Sequence, residues 1–209
     1  MPLEAPKPPH RSAAEIRRGQ LLEIARKIIE TEGVEALRPT RVAELAGCTR
    51  PLIYQYFPRR EDIFIAITEE FYQALDATVA IDDQLSVIPA AAHGDSNPAR
   101  GVVERLWQYI DEKGLAALIL RSTPEISVDF RGYLKRIRES YERRWLQGFR
   151  DLGMDEPRAD LMLEMFITIM KVLAFQHVSG EIDRETAIER HLDTVGALMQ
   201  DMASQPVQV

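Results

Sequence analysis

Residues 40–63 read Thr-Arg-Val-Ala-Glu-Leu-Ala-Gly-Cys-Thr-Arg-Pro-Leu-Ile-Tyr-Gln-Tyr-Phe-Pro-Arg-Arg-Glu-Asp-Ile, and they decide the fold. Val42, Ala43, Leu45 and Ala46 are apolar at helical spacing. Gly47 stands where a helix must stop, because glycine enters the left-handed backbone region without a steric cost. Thr49 can cap a following helix by accepting a backbone N–H. Pro51 falls in that helix's first turn, where its missing N–H loses nothing. The spacing predicts helices over Thr40–Ala46 and Thr49–Phe57. Two helices about a tight glycine turn form a helix-turn-helix, whose second helix can enter a DNA major groove.

Outward from this unit the pattern stays helical. Leu21, Leu22, Ile24, Ala25, Ile28 and Ile29 recur every three or four residues and predict a helix from Ser12 to Glu32, ended by Gly33. Pro58 ends the third helix and opens a fourth over Arg59–Ala80, with Ile63, Phe64, Ile67, Phe71 and Leu75 on one face. Turn formers crowd residues 82–98 and predict a long loop. Helices resume near Ala99, and Pro124 breaks a short one ending near Arg121 or Ser122. Val128–Leu152 is then striped by Phe130, Leu134, Ile137, Tyr141, Trp145, Phe149 and Leu152. Its other face carries Arg131, Lys135, Arg138, Glu139 and Glu142 and reads as solvated. No alternating strand pattern appears.

The last two helices differ in kind. Residues 156–179 are apolar around most of the circumference, so several sides need cover. Asp183 caps a final helix with Ile188, Leu192, Val195, Met199 and Met202 at the four-three spacing of a bundle seam. This excess predicts a homodimer through Leu163, Phe166, Ile167 and Met170 of one helix and Ile188, Leu192, Val195 and Met199 of the other.

Charge divides the chain in the same place. The net charge is −7, yet residues 1–60 hold eleven Lys/Arg against seven Asp/Glu, a net of +4. The remainder is therefore at −11. A basic head on an acidic body suits a two-part DNA binder. The longest apolar stretch, within 161–175, is interrupted by Glu164, Thr168 and Lys171, which argues against a membrane span. One cysteine, Cys48, precludes an intramolecular disulfide and suits a reducing cytoplasm. Four early prolines suggest a disordered tail over 1–11 and no secretory signal. His177 and His191 lack the cluster of Cys, His or Asp that metal binding needs, so no metal and no cofactor is expected. Glycine-rich phosphate loops and hydrolase motifs are missing, and no enzyme activity is expected.

Taken together, the segment from Arg17 to Ile63 resembles the TetR family of bacterial transcriptional regulators. The resemblance is carried by Leu21-Leu22-Glu-Ile24-Ala25, Ile28-Ile29, Gly33, Thr40, Val42-Ala43-Glu-Leu-Ala46-Gly47 and Thr49. Leu52-Ile53-Tyr54-Gln55-Tyr56-Phe57-Pro58 and Arg60-Glu61-Asp62-Ile63 complete it. It covers about a quarter of the chain. Arg50-Pro51 replaces the small residue or glycine frequent in the family, and Arg60 replaces a lysine.

The resemblance implies an all-α fold of about nine helices. It divides into a tail at 1–11, a helix-turn-helix domain at 12–57 and a ligand-binding and dimerisation domain at 58–204. It also implies a palindromic operator on double-stranded DNA and repression relieved by a small molecule. Thr40, Thr49, Tyr54, Tyr56 and Arg60 would hold phosphates. Arg50 and Gln55 would read bases, arginine suiting guanine and glutamine adenine. Arg41 and Pro51 belong to the same interface, and Arg17, Arg18 and the Lys7–Arg11 tail would add phosphate or minor-groove contacts. An effector pocket would lie in the body, with Phe71, Leu75, Trp107, Tyr133, Ile137, Tyr141, Met165 and Ile169 as lining candidates suited to a largely apolar ligand. The same fold could instead activate transcription, and a helical carrier or enzyme with a degenerate head is the alternative from another class.

Overall fold

The computed structural model describes residues 12–79, 97–123, 126–151 and 153–204. The side chains of 75–79, 97–99, 102, 141, 144 and 202–204 fall outside that description. So do the expected tail at 1–11, most of the expected loop at 82–98, and the stripe positions Leu152 and Met202.

Ten α-helices and no strand are present among the described residues. They are α1 (Ala13–Thr31), α2 (Pro39–Leu45), α3 (Arg50–Tyr56), α4 (Arg60–Val79), α5 (Asn97–Lys113), α6 (Ala116–Arg121), α7 (Val128–Tyr141), α8 (Arg143–Asp151), α9 (Glu156–Val178) and α10 (Arg184–Ser204).

The head is built by local rules. Ser12 and Glu15 form a reciprocal capping box that starts α1. α2 closes with Gly47 at φ 60°. Cys48 N–H reaches the Ala43 carbonyl and Gly47 N–H the Glu44 carbonyl, so the orphan carbonyls at the helix end are satisfied. Leu21, Leu22, Ala25, Ile28 and Ile29 of α1 pack with Val34, Leu37, Val42, Ala43, Ile53 and Phe57 as the buried centre of the head. Each of these side chains other than the two alanines stabilises the fold by about 1.5–3 kcal/mol.

Helix α4 joins head to body, packing against α1, α5, α6 and α7. Its Ile63, Phe64, Ile67 and Phe71 are buried as the spacing predicts. A second tie runs through Glu30 of α1, whose Oε1 accepts from the backbone N–H groups of Leu115 (2.5 Å) and Ala116 (3.0 Å) at the start of α6. Gly114, at φ 73°, permits that approach; a Cβ there would collide with the Glu30 carboxylate.

The body closes with α9 on α8 and α10, and α10 on α5. By length and hydropathy alone α9 would pass as a membrane-crossing helix. Its buried side, Ala159, Met162, Leu163, Phe166, Ile167, Met170, Leu173 and Ala174, is covered by the chain itself.

Several expectations are corrected. α2 begins one residue earlier, with Pro39 at its first turn. The run 128–152 divides at Glu142 into α7 and α8. Glu142 is not on a solvated face: it is 4% exposed, drawn inward to Tyr72, Arg121 and Arg138. The eight side chains assigned to a dimer seam, Leu163, Phe166, Ile167, Met170, Ile188, Leu192, Val195 and Met199, are all buried within one chain. The apolar surface that α9 leaves exposed is a different stripe, with Leu161, Val172, Phe175 and Val178.

Candidate nucleic-acid interface

On α3 the seven residues sort by face. Ile53 and the following Phe57 are buried, Leu52 and Tyr56 half-buried, and Arg50, Pro51, Tyr54 and Gln55 exposed. The exposed set recurs at i, i+1, i+4 and i+5, one face of a helix. Thr49 precedes it, exposed, with extended backbone (φ −75°, ψ 149°). Its hydroxyl makes no cap bond, contrary to the sequence reading. Pro51 offers no N–H, and the N–H groups of Leu52 and Ile53 both go to the Thr49 main-chain carbonyl (3.0 and 3.3 Å). The hydroxyl therefore has no local donor to accept from and stays free for an outside partner.

Beside α3 lies an open notch of about 620 Å³. Arg38, Thr40 and Arg41 at the start of α2 form one wall, and Cys48 and Arg50 form another. Cys48 is a free, half-buried thiol there. Arg38 was missed by the sequence reading. It holds the cap position of α2 and is exposed. The available signal was Pro39: proline at a helix's first residue places its predecessor at the mouth of the helix.

The remaining predicted contacts are occupied. Arg41 donates to Glu32 and Glu44, both at 3.2 Å. Arg17 donates to Gln20 Oε1 (3.1 Å) and to the Ala46 carbonyl (3.4 Å), closing the end of α2 against α1. Arg18 lies over the Phe57 ring, 5.3 Å from its centroid. Arg60 is turned inward. It donates to the Val34 carbonyl at 2.6 Å, sits over the Phe64 ring and leaves its Nε buried. The Val34 carbonyl also accepts the Leu37 N–H at 3.1 Å, so Arg60 adds a second donor there and ties α4 to the turn between α1 and α2. Tyr56 packs partly against the core, whereas Tyr54 is 45% exposed. Thus Thr40, Thr49, Arg50, Pro51, Tyr54 and Gln55 are brought to one surface, and Arg17, Arg41 and Arg60 hold that surface in shape.

Comparison with known proteins meets this geometry at the head. Residues 21–67 match the model of the bacterial regulatory proteins of the tetR family. The match spans α1 from Leu21, all of α2 and α3, and the start of α4. Solved structures share the fold over most of the chain's length. One is a protein from Shewanella sp. PV-4 assigned as a tetR-family transcription regulator, 14% identical, TM-score 0.61, covering 88% of this chain and 96% of that one. Another is a tetR-family transcriptional regulator from Streptomyces coelicolor, 18% identical, TM-score 0.54, covering 94% and 93%. A third is the multidrug binding protein EbrR, complexed with imidazole, 14% identical, TM-score 0.52, covering 92% and 97%. The TetR-family fold, a helix-turn-helix head on a helical body, is therefore the fold of this chain.

The body also contains a cavity of about 420 Å³ between α6, α7, α8 and α9. Of the eight expected lining residues, none of the six whose side chains are described borders it. Phe71, Trp107 and Ile137 are core; Tyr133, Met165 and Ile169 are half-buried; the side chains of Leu75 and Tyr141 lie outside the description. The cavity is instead walled by charged groups around Arg121 and by three leucines. No cluster of three metal-ligating groups occurs among the described residues. His191 is fully buried against the Phe166 ring, 4.7 Å between centroids, and burial pushes its pKa down to about 4.

Proposed function

We propose that this chain is a homodimeric, sequence-specific DNA-binding regulator acting in the cytoplasm, a repressor released from a palindromic operator by a small molecule. The supporting observation is the face of α3. Thr49, Arg50, Tyr54 and Gln55 stand exposed there without internal bonds, next to a notch walled by Arg38 and Thr40. Groups that the fold leaves without partners are the ones that phosphates and base edges can take. Thr40, Thr49 and Tyr54 hold the backbone, with Tyr56 behind them; Arg50 and Gln55 choose the sequence. Residues 12–57 act as the reading head and 58–204 as the regulatory body.

Dimerisation uses the outer stripe of α9, with Leu161, the half-buried Met165, Thr168, Val172 and Phe175 at four-three spacing along one face. Two heads then meet successive major grooves. The effector acts by preferring a body conformation whose heads are wrongly spaced. The Glu30 clamp and α4 both tie head to body and carry that change. That one protein of this fold, EbrR, is a multidrug binding protein supports a small-molecule effector here.

Gel shifts on DNA flanking the gene, at two salt concentrations, test the reading. Binding that weakens steeply with salt, and selects one palindrome from a randomised pool, is expected. Failure to retain any DNA at low salt would overturn it.

A further inference from the structure

Four charged residues of the body form a closed ring. Arg121, at the end of α6, donates to Glu142 Oε1 at 2.9 Å and to both oxygens of Glu164 at 3.1 Å. Arg138 of α7 donates from Nε to Glu142 Oε2 at 3.1 Å and from its terminal nitrogen to Glu164. Each guanidinium thus holds both carboxylates. Tyr72 of α4 adds a third donor to Glu142, at 3.1 Å.

The two carboxylates are not equivalent. Glu142 is sealed in, its side chain 6% exposed, and bound by donors from three helices. The Glu164 side chain is 41% exposed and borders the cavity. Burial works against its charge, but the two guanidiniums outweigh that and hold its pKa below the usual carboxylate value. Arg121 is nearly enclosed (7% exposed), and its Nε–H is buried with no acceptor. The apolar part of the wall is Leu134, Leu146 and Leu163. The outer charges, Arg131 and Lys135 against Glu139 and Asp160, cancel formally.

An entering carboxylate can therefore take the place of Glu164 on Arg121 and Arg138. The exchange is one planar two-oxygen acceptor for another, so the charge balance is kept and the released Glu164 passes to water. An entering cation would have to compete with two guanidiniums for carboxylates they already saturate. A volume of about 420 Å³ lies within the range of small-molecule sites, about 300–1,000 Å³. We propose that this cavity binds an amphipathic monocarboxylate, its head on Arg121 and Arg138 in place of Glu164 and its apolar body against the three leucines. This deepens the regulator reading by naming the chemistry of its effector. It releases α9, which carries the proposed dimer face, from α6 and α7, while Glu142 stays joined to α4 through Tyr72.

Isothermal titration of the full chain with octanoate, octan-1-ol and octylamine at low salt is the test, with melts confirming that each variant folds. Octanoate should bind once per chain, about tenfold or more tighter than the alcohol or the amine. Glu164→Gln removes the competing charge and should tighten octanoate by roughly threefold or more. Arg138→Met, at a half-exposed position, should weaken it about tenfold. Equal binding of all three probes, or weaker or unchanged octanoate binding in Glu164→Gln, would overturn the site. Octanoate binding of this pattern in a protein that retains no DNA would sink the regulator reading and leave the site standing. Salt-sensitive DNA binding without carboxylate preference would do the reverse.

Discussion

Arginines meet opposite fates in the head and the body. On the face of α2 and α3, Arg38 and Arg50 stand exposed and unbonded beside a notch. In the body, Arg121 and Arg138 are closed into a ring with two carboxylates. A free guanidinium adds its full attraction to an incoming phosphate. A saturated one offers only an exchange, so it discriminates between acceptors rather than drawing them in. The same residue type thus serves affinity in one region and selectivity in the other.

The sharpest way to break the contrast between an inward and an outward face is on α9. Phe166 is 6% exposed and packs on the rings of Trp145 and His191. Phe175 is 44% exposed. Phe166→Asp removes a buried ring and leaves an unpaired charge, costing more than about 4 kcal/mol, and should abolish cooperative unfolding. Phe175→Asp should leave folding within about 1 kcal/mol and yield monomers. Urea melts with sedimentation decide the matter: a folded Phe166→Asp protein, or a fully dimeric Phe175→Asp protein, would contradict the assignment of faces.

That pair also shows where the sequence was legible. The head could be read because its signals are local. Gly47, Pro51 and the alternation of faces along α3 act within a few residues, and the exposed set follows from them. The inward turn of Arg60 and Arg17 could not be read, because their acceptors are main-chain carbonyls of Val34 and Ala46, 26 and 29 residues away. The helix over 156–178 was legible as a helix but not as a face. Apolar residues run around it, and periodicity cannot say which stripe the chain itself covers. Leu163, Phe166, Ile167 and Met170 went inward, and Leu161, Val172 and Phe175 outward. The charged ring was hidden for a third reason: its members are spread from 121 to 164, and in sequence Arg138 and Glu142 look like an ordinary solvated face.

Acid sharpens the comparison between regions, because His191 lies deep in the body. Its pKa is about 4 in the fold against 6.5 in an open chain. The unfolded state therefore binds the proton first as pH falls. The stability contributed by neutral His191 is full above pH 6.5 and is lost progressively down to pH 4, about 3 kcal/mol in all. Glu164, whose pKa is lowered, adds a further loss only below the ordinary carboxylate range. Denaturant melts from pH 7 to 4 should show this slope, and His191→Leu should flatten it. An equal slope in the variant would remove His191 as its cause.

Within the head, the free and the bonded arginine should separate cleanly. Arg50→Ala should relax preference at one base position by about 1–3 kcal/mol and leave the fold unchanged. Arg60→Ala breaks the bond to the Val34 carbonyl and should lower stability by roughly 1–2 kcal/mol, with sequence preference intact. Site selection on randomised DNA with each variant distinguishes them; a shifted consensus in Arg60→Ala would return that residue to the interface.

The smallest effect belongs to Thr49, and it is the cleanest probe of what an unengaged group means. A capping threonine normally stabilises its helix by about 1 kcal/mol. Thr49 occupies the cap position but makes no cap bond, since Pro51 has no N–H and the main-chain carbonyl takes the next two. Thr49→Val keeps the shape and the β-branch while deleting only the hydroxyl. Stability should therefore stay within about 0.5 kcal/mol. DNA affinity should still fall about fivefold, equally on every sequence, because a lost phosphate contact carries no base information. A variant that loses stability instead would show the hydroxyl serving the helix after all. One that loses neither would place the phosphate contacts of the head on Tyr54 and the α2 side of the notch.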